Sequence, residues 1–255
     1  MSDSDEDGLG LFQDPEGFYE AEKPATFVSH QLLDGRTLKL RLVGHNPLWG
    51  HHLWNAGKVI SDFIEQNVED LVRGKTVLEL GAGAGLPSFT SALKGAELVV
   101  VTDYPDAELI ENLKINITHT ASLSSDINVR AHGLLWGADP SQVKALLPEF
   151  SDKDGFDVLI LADLLFNHSE HGKLIETVKT TLQRSTKAKA LVFFTPYRPW
   201  LLNNDLAFFK LARDNGFIVT KILEKVMDKV MFEEDPGDEL LRRTVFGYEL
   251  TWTEP

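Results

Sequence analysis

The segment VLELGAGAGLPS concentrates the residues most able to do chemistry: Glu79 lies near the end of an apolar run, and Gly81, Ala82, Gly83 and Gly85 follow before Leu86 and Pro87. Glycines allow a tight turn and a close approach of backbone amides to a ligand, and a helix opening behind them adds the positive end of its dipole. Such a cradle suits a nucleotide-like ligand, although a turn that only packs strand on helix would use the same residues. The dinucleotide fingerprint G-x-G-x-x-G needs glycine at 86, where the chain has Leu86, so NAD is disfavoured. Asp103 follows about 20 residues later, where an acidic strand end can take two ribose hydroxyls or cap the next helix.

Other groups carry weaker signals. His51-His52 and His168 with His171 show no firm ligand spacing, and adjacent histidines point apart in regular structure, so no metal is expected. Ser88 follows Gly-Leu-Pro rather than sitting in G-x-S-x-G, which argues against a hydrolase nucleophile elbow. Arg198 suits either a carboxylate clamp or a strand end. The acidic run Glu233 to Glu239 reads as a solvated hairpin tip, with substrate docking as the lesser reading.

The elements around these residues alternate. TLKLRLV (37 to 43) has the period of a half-buried strand and implies an N-terminal hairpin. Asn55 to Val68 places Val59, Ile60, Phe63, Ile64 and Val68 at helical spacing. Strands follow at 76 to 81, 97 to 103, near 128 to 131, 156 to 163, 190 to 197 and 217 to 223. Helices are expected from about Pro87, from Pro105 to His119, over His168 to Gln183 and over Leu201 to Asn215. Near-continuous apolar strands imply a parallel sheet covered on both faces, and Leu241 to Thr251 reads as a hairpin return. In such a sheet the ligand crevice lies at the C-terminal strand ends, where Glu79, Asp103, Asp163 and Tyr197 fall.

Composition bounds the partners. The 255 residues include no cysteine, which excludes disulfides and thiolate sites and fits a reducing compartment, with the cytoplasm as the default. No apolar stretch reaches the roughly 18 to 20 residues of a membrane helix, and the acidic start MSDSDEDGLG is unlike a signal or transit peptide. The net charge of −14 disfavours nucleic acid as a partner. Residues 1 to 24 hold eight carboxylates and one lysine, and read as a disordered tail before a single domain over 25 to 255.

Glu79 with its glycines, Asp103, Leu135-Trp136-Gly137 and Ala162-Asp163 together resemble the seven-β-strand S-adenosylmethionine-dependent methyltransferases. PLWGHHLWNAG, LADLLFNHSEH and FFTPYRPW resemble the nicotinamide N-methyltransferase-like branch, which contains many protein lysine methyltransferases. The likeness runs from about residue 27 to the end. It implies a Rossmann-like α/β fold with a seven-stranded sheet, helices on both faces and an added β-hairpin.

The resemblance also implies S-adenosylmethionine as cofactor. Gly81 and Gly83, with Ala82 between them, would line the methionine moiety, Asp103 would hold the ribose, and Glu79 would support the loop. Trp54 would approach from the preceding helical segment, Trp136 would lie beside the adenine, and Ala162 would pass its backbone close by. Asp163 would orient the incoming amine. Phe166 stands where the family often has tyrosine, which puts an acid–base role there in doubt. Phe166, Tyr197 and Trp200 are candidates for an aromatic wall around the target nitrogen. The implied substrate is translation elongation factor 1-alpha, at its N-terminal α-amine and an adjacent lysine, methylated by a monomer. Alternatives are a small-molecule methyltransferase of the nicotinamide type, expected to close its pocket over the cofactor, and a cofactor-binding scaffold.

Overall fold

The computed structural model describes residues 24–254 apart from 45, 48 and 149–152. Of the tail expected over residues 1 to 24, all but Pro24 lies outside them.

Strands β1 (Thr26–Gln31) and β2 (Thr37–Leu42) pair antiparallel as the expected hairpin, with Thr26 opposite Leu42. Leu38, Leu40 and Leu42 are buried while Lys39 is exposed, so the alternation puts one face of β2 against Ala84, Leu86 and Phe89. The chain continues through α1 (Asn55–Gln66), α2 (Val68–Leu71), β3 (Thr76–Leu80), α3 (Leu86–Leu93), β4 (Leu98–Asp103) and α4 (Ala107–Ala121). It then forms β5 (Val129–Gly133), α5 (Ser141–Lys144), β6 (Val158–Ala162), α6 (His171–Thr181) and β7 (Lys189–Phe194). The last elements are α7 (Leu202–Asp214), β8 (Phe217–Val226), α8 (Glu239–Arg242) and β9 (Thr244–Trp252).

Seven strands form one sheet in the order β5-β4-β3-β6-β7-β9-β8, parallel except for β9, which runs antiparallel to both neighbours. Residues alternate between its faces. Leu78, Leu159 and Val192 pack with Leu174 and Val178 of α6 and with Phe208 of α7. Val77, Val158 and Leu191 pack with Val59, Ile60 and Ile64 of α1 on the other side. Chain direction through the sheet reverses between β3 and β6, the kind of switch point where ligands bind in open α/β sheets.

Several boundaries differ from the sequence-based expectation. The first helix breaks at Asn67, whose Nδ2 donates to the Phe63 carbonyl at 2.8 Å and competes with helix continuation. The stretch from His168 begins as a 3-10 turn, and α6 ends at Thr181. β7 stops at Phe194, so Tyr197 lies past the strand. Pro196 has no N–H for the ladder, and the Thr195 amide is drawn to the Asp163 carboxylate instead. Leu241 and Arg242 belong to α8 rather than to the returning strand, which starts at Thr244.

Candidate active site

The loop after β3 turns through three left-handed glycines, Gly81 (φ 56°), Gly83 (φ 55°) and Gly85 (φ 79°). A Cβ on Gly81 would lie 2.7 Å from Leu164 and 3.2 Å from Trp136, whereas one on Gly83 would meet nothing within 4 Å. Gly81 is therefore a point of close packing, and Gly83 faces open space. Glu79 is fully buried beneath the loop, where its Oε2 accepts from the Ser88 amide and hydroxyl and so ties β3 to the first turn of α3. Burial pushes its carboxyl up to about 8, against the opposing effect of the two Ser88 hydrogen bonds.

Asp103 ends β4 and accepts from the Gly83 amide (2.7 Å) and its neighbour Tyr104 (2.7 Å). Burial raises this carboxyl too. The Leu134 amide bonds the Asp103 carbonyl at 2.8 Å, and the Gly137 amide bonds Thr177 of α6 at 2.8 Å; between these two anchors Trp136 is carried onto Gly81. A cavity of about 580 Å³ opens here. Its lining includes every expected cofactor residue: Trp54, Glu79, Gly81, Ala82, Gly83, Asp103, Trp136 and Ala162.

Asp163 follows β6 with φ 55°, a conformation that costs a non-glycine residue roughly 1–2 kcal/mol. Only 7 % exposed, it accepts from the Ala56 amide (2.9 Å) and the Tyr197 hydroxyl (3.3 Å) through Oδ2, and from the Thr195 amide (2.7 Å) through Oδ1. The first turn of α1 has no acidic residue of its own, so Asp163 supplies the anion its N-terminus favours. Burial pushes this carboxyl up to about 7, and burial together with the Asp163 charge pushes the Tyr197 hydroxyl well above its ordinary value. Tyr197 also accepts from the Asn55 amide at 3.3 Å. Trp49, the other non-glycine residue with positive φ (63°) among those described, accepts the Trp54 indole N–H through its carbonyl at 3.2 Å.

A second cavity, of about 280 Å³, adjoins the first, and Trp49, Trp54, Asp163, Phe166 and Arg198 line both. Tyr197, Thr195, Asp205 and Phe232 complete much of its wall. Phe166 is 42 % exposed at the junction, where it can present its ring to a ligand. Trp200 is 58 % exposed and lines neither cavity, so it does not join the wall expected of it. The Arg198 guanidinium donates to the Phe166 carbonyl at 2.6 Å, which fixes the position of the Phe166 backbone. His51 and His52 do not point apart: in this irregular stretch their ring centroids lie 4.1 Å from each other. Sequence reasoning missed Trp49, Leu164, Asp205 and Phe232: the first two stand inside the segments PLWGHHLWNAG and LADLLFNHSEH without being singled out, and the last two have no motif around them.

The sheet order and the ligand cavity at its parallel strand ends define the fold class of the S-adenosylmethionine-dependent methyltransferases. A SAM-dependent methyltransferase assigned in Streptococcus mutans superposes with a TM-score of 0.55 at 11 % identity, over 91 % of this chain and 56 % of that one. Two protein N-terminal and lysine N-methyltransferases are similar in sequence. The Emericella nidulans protein is 51 % identical over 96 % of this chain and 95 % of its own length, and the Aspergillus fumigatus protein 52 % over 98 % and 97 %. The lysine methyltransferase family pattern matches residues 32–215. The chain belongs to the lysine methyltransferase family.

The Gly81 geometry carries a first expectation. Gly81→Ala combines left-handed strain with overlap against Leu164, which costs about 1–3 kcal/mol and displaces the loop. Its melting temperature should fall by several degrees with cofactor affinity lost as well; a variant that binds and melts like wild type would contradict the packing described.

Buried Glu79 carries a second. Its folded value of about 8 exceeds the reference of 4.5, so the folded state holds a proton the unfolded chain has released. Its stabilising contribution is full below about 4.5 and is lost as pH rises through 8. The cofactor-free Glu79→Gln protein should therefore gain on wild type with rising pH, by at least about 3 °C in melting temperature between pH 6 and 9. A difference that does not change with pH would show that Glu79 is not buried in its neutral form.

Proposed function

We propose that this protein transfers methyl groups from S-adenosylmethionine to the N-terminal α-amine of a protein and to an adjacent lysine, with translation elongation factor 1-alpha as substrate. The carrying observation is the meeting of two cavities at Trp54, Asp163 and Phe166. The larger has a volume within the usual range for small-ligand sites, and the unobstructed Gly83 and the Asp103 carboxylate suit a nucleoside with a free diol. Trp136 offers an aromatic face for the base. When bound, S-adenosylmethionine supplies an activated methyl group to a neutral amine.

The remaining work falls to the chain. Asp103 and the amides of the glycine loop hold the ligand, while Asp163 fixes Trp54 and Tyr197 by gripping the start of α1. Aromatic faces at the junction favour a cationic centre and exclude water. No residue needs to form a covalent bond, because methyl transfer demands mainly alignment. The exposed Phe166 and Trp49 leave the mouth open to a polypeptide, which favours a protein substrate over a free heterocycle. The names of the similar fungal proteins support the choice of an N-terminal amine and a lysine. The reading extends to a cytoplasmic monomer with its catalytic domain over residues 25–255.

Purified elongation factor 1-alpha incubated with the protein and labelled S-adenosylmethionine should carry label in its N-terminal peptide, divided between the α-amine and the neighbouring lysine. The α-amine has a reference pKa of about 7.7–8.0 against about 10.4 for lysine, so the lysine share should grow as pH rises from 7 to 9. Peptide mass spectrometry reads both. Cofactor binding without label in this protein would overturn the substrate assignment.

A further inference from the structure

The segment between β8 and β9 is more than the solvated tip its acidic sequence implies. Phe232 turns inward and meets three aromatic rings: His52, Trp54 and Tyr197, at centroid distances of 5.3, 5.8 and 5.8 Å, each edge-on. Its carbonyl accepts from the buried Arg242 at 2.8 Å, which anchors this side of the loop to α8. Further along, Gly237 packs on the Pro199–Trp200 turn, where an added Cβ would lie 3.3 Å from Pro199 and 3.4 Å from Trp200. The segment is thus held at both ends over the smaller cavity, and Asp235 lines that cavity from its exposed side.

The cavity beneath is chemically uneven. Trp54, Phe166, Tyr197 and Phe232 give it aromatic walls, and Asp163, Asp205 and Asp235 give it carboxylates against one arginine, Arg198. Arg198 is tied to the Phe166 carbonyl, Asp205 is held by His168 Nε2 at 2.7 Å, and Asp163 is hydrogen-bonded to two amides and Tyr197, which leaves Asp235 as the cavity carboxylate with neither a hydrogen bond nor an ion pair among the described residues. Thr195, 6 % exposed, also lines the space; its Oγ1 makes no hydrogen bond of normal geometry, though it lies near enough to Asp163 to help keep that carboxyl ionised. Aromatic faces beside an unpaired carboxylate favour a cation on an aliphatic stem.

We propose that Phe232 and Asp235 select the substrate: the smaller cavity receives an aliphatic amine under the Phe232 ring, while Asp235 pairs with a second ammonium group on the neighbouring residue. This rests on the protein-amine reading above. A substrate carrying two amines side by side would satisfy both contacts in either register, so that each amine can reach the junction with the larger cavity while the other is held by Asp235. The segment from residue 227 to 243 thereby selects for basic neighbours.

The test uses two short peptides with free N-termini, one with lysine at the second position and one with norleucine there. Binding is followed by fluorescence anisotropy in the presence of S-adenosylhomocysteine, and methylation by mass spectrometry. The full-length wild type should bind the lysine peptide about tenfold more tightly than the norleucine peptide. Asp235→Asn should erase that preference, which a double-mutant cycle reports as coupling. Phe232→Ala should raise KM for both peptides about tenfold with kcat and S-adenosylmethionine affinity little changed. Asp235 is exposed and Phe232 belongs to none of the buried core clusters, so both variants should unfold cooperatively, which a melting curve taken in parallel checks. An Asp235→Asn protein that discriminates as wild type does, or a Phe232→Ala protein with wild-type KM, overturns the assignment while leaving the methyltransferase reading intact. A wild type that binds the cofactor but neither binds nor methylates either peptide overturns both.

Discussion

Asp103→Ala is expected to lower affinity for S-adenosylmethionine at least about 100-fold in titration calorimetry while unfolding remains cooperative. The side chain stands at the C-terminal end of β4, half-buried, with its carboxylate on the rim of the larger cavity. Two oxygens facing a vicinal diol make two charge-assisted hydrogen bonds of about 1.5–3 kcal/mol each. Their loss amounts to at least about 3 kcal/mol, or two decades in dissociation constant. A second effect adds to the first: the Gly83 amide loses its acceptor at 2.7 Å, and the open loop is no longer held in its left-handed turn. The core should tolerate the change, because Val99, Val100 and Val101 carry the burial of this strand. Asp103→Asn is the sharper control, since its one amide oxygen can still accept from Gly83, while the charge and the acceptor for the Tyr104 amide are lost. Unchanged affinity in both variants would remove the ribose assignment and with it the placement of the nucleoside in this cavity.

The parts of this architecture legible in the sequence are those where a residue's type follows from its immediate neighbours along the chain. β3, β4 and β6 are short apolar runs because both faces of the sheet are covered, and their C-terminal ends are marked by Glu79, Asp103 and Asp163. The glycine loop is legible because three consecutive left-handed turns leave no other residue type comfortable. Trp54, Trp136 and Ala162 were placed through likeness to a family rather than through local pattern, and all three line the larger cavity.

What escaped depends on contacts between distant segments. Phe232 belongs to a stretch with no period, and only the return of the chain over Trp54 gives it a place. Asp205 looks like an ordinary early-helix acid, yet it is 5 % exposed and bonded to His168. α8 is four residues long, too short for an amphipathic repeat to show. The strand expected to reach Tyr197 stops at Phe194 because the Thr195 amide answers to Asp163, a partner 32 residues away.

That same partnership makes Asp163 the second position of large effect, and the structure changes what its replacement should do. The family resemblance implies a carboxylate that would orient the incoming amine, whereas the side chain already grips Ala56 with one oxygen and Thr195 with the other. Asp163→Asn keeps a residue that tolerates left-handed backbone, so the φ of 55° is not the obstacle. Either orientation of the amide, however, presents an NH2 group to one of two buried N–H donors. The mismatch costs about 1–3 kcal/mol and loosens the start of α1, where Trp54 and the Asn55 amide meet the site. We expect kcat to fall at least about 100-fold, the melting temperature to drop by about 2–8 °C, and S-adenosylmethionine affinity to change less than about fivefold. Asp163→Ala should be less stable still, since it leaves both amides unpaired and adds left-handed strain to a Cβ residue that makes no local hydrogen bond. Full turnover in Asp163→Asn with a lowered melting temperature would reduce Asp163 to a helix anchor. Turnover lost at wild-type stability would instead place its carboxylate in contact with the amine, because the anchoring role cannot fail without a cost in folding.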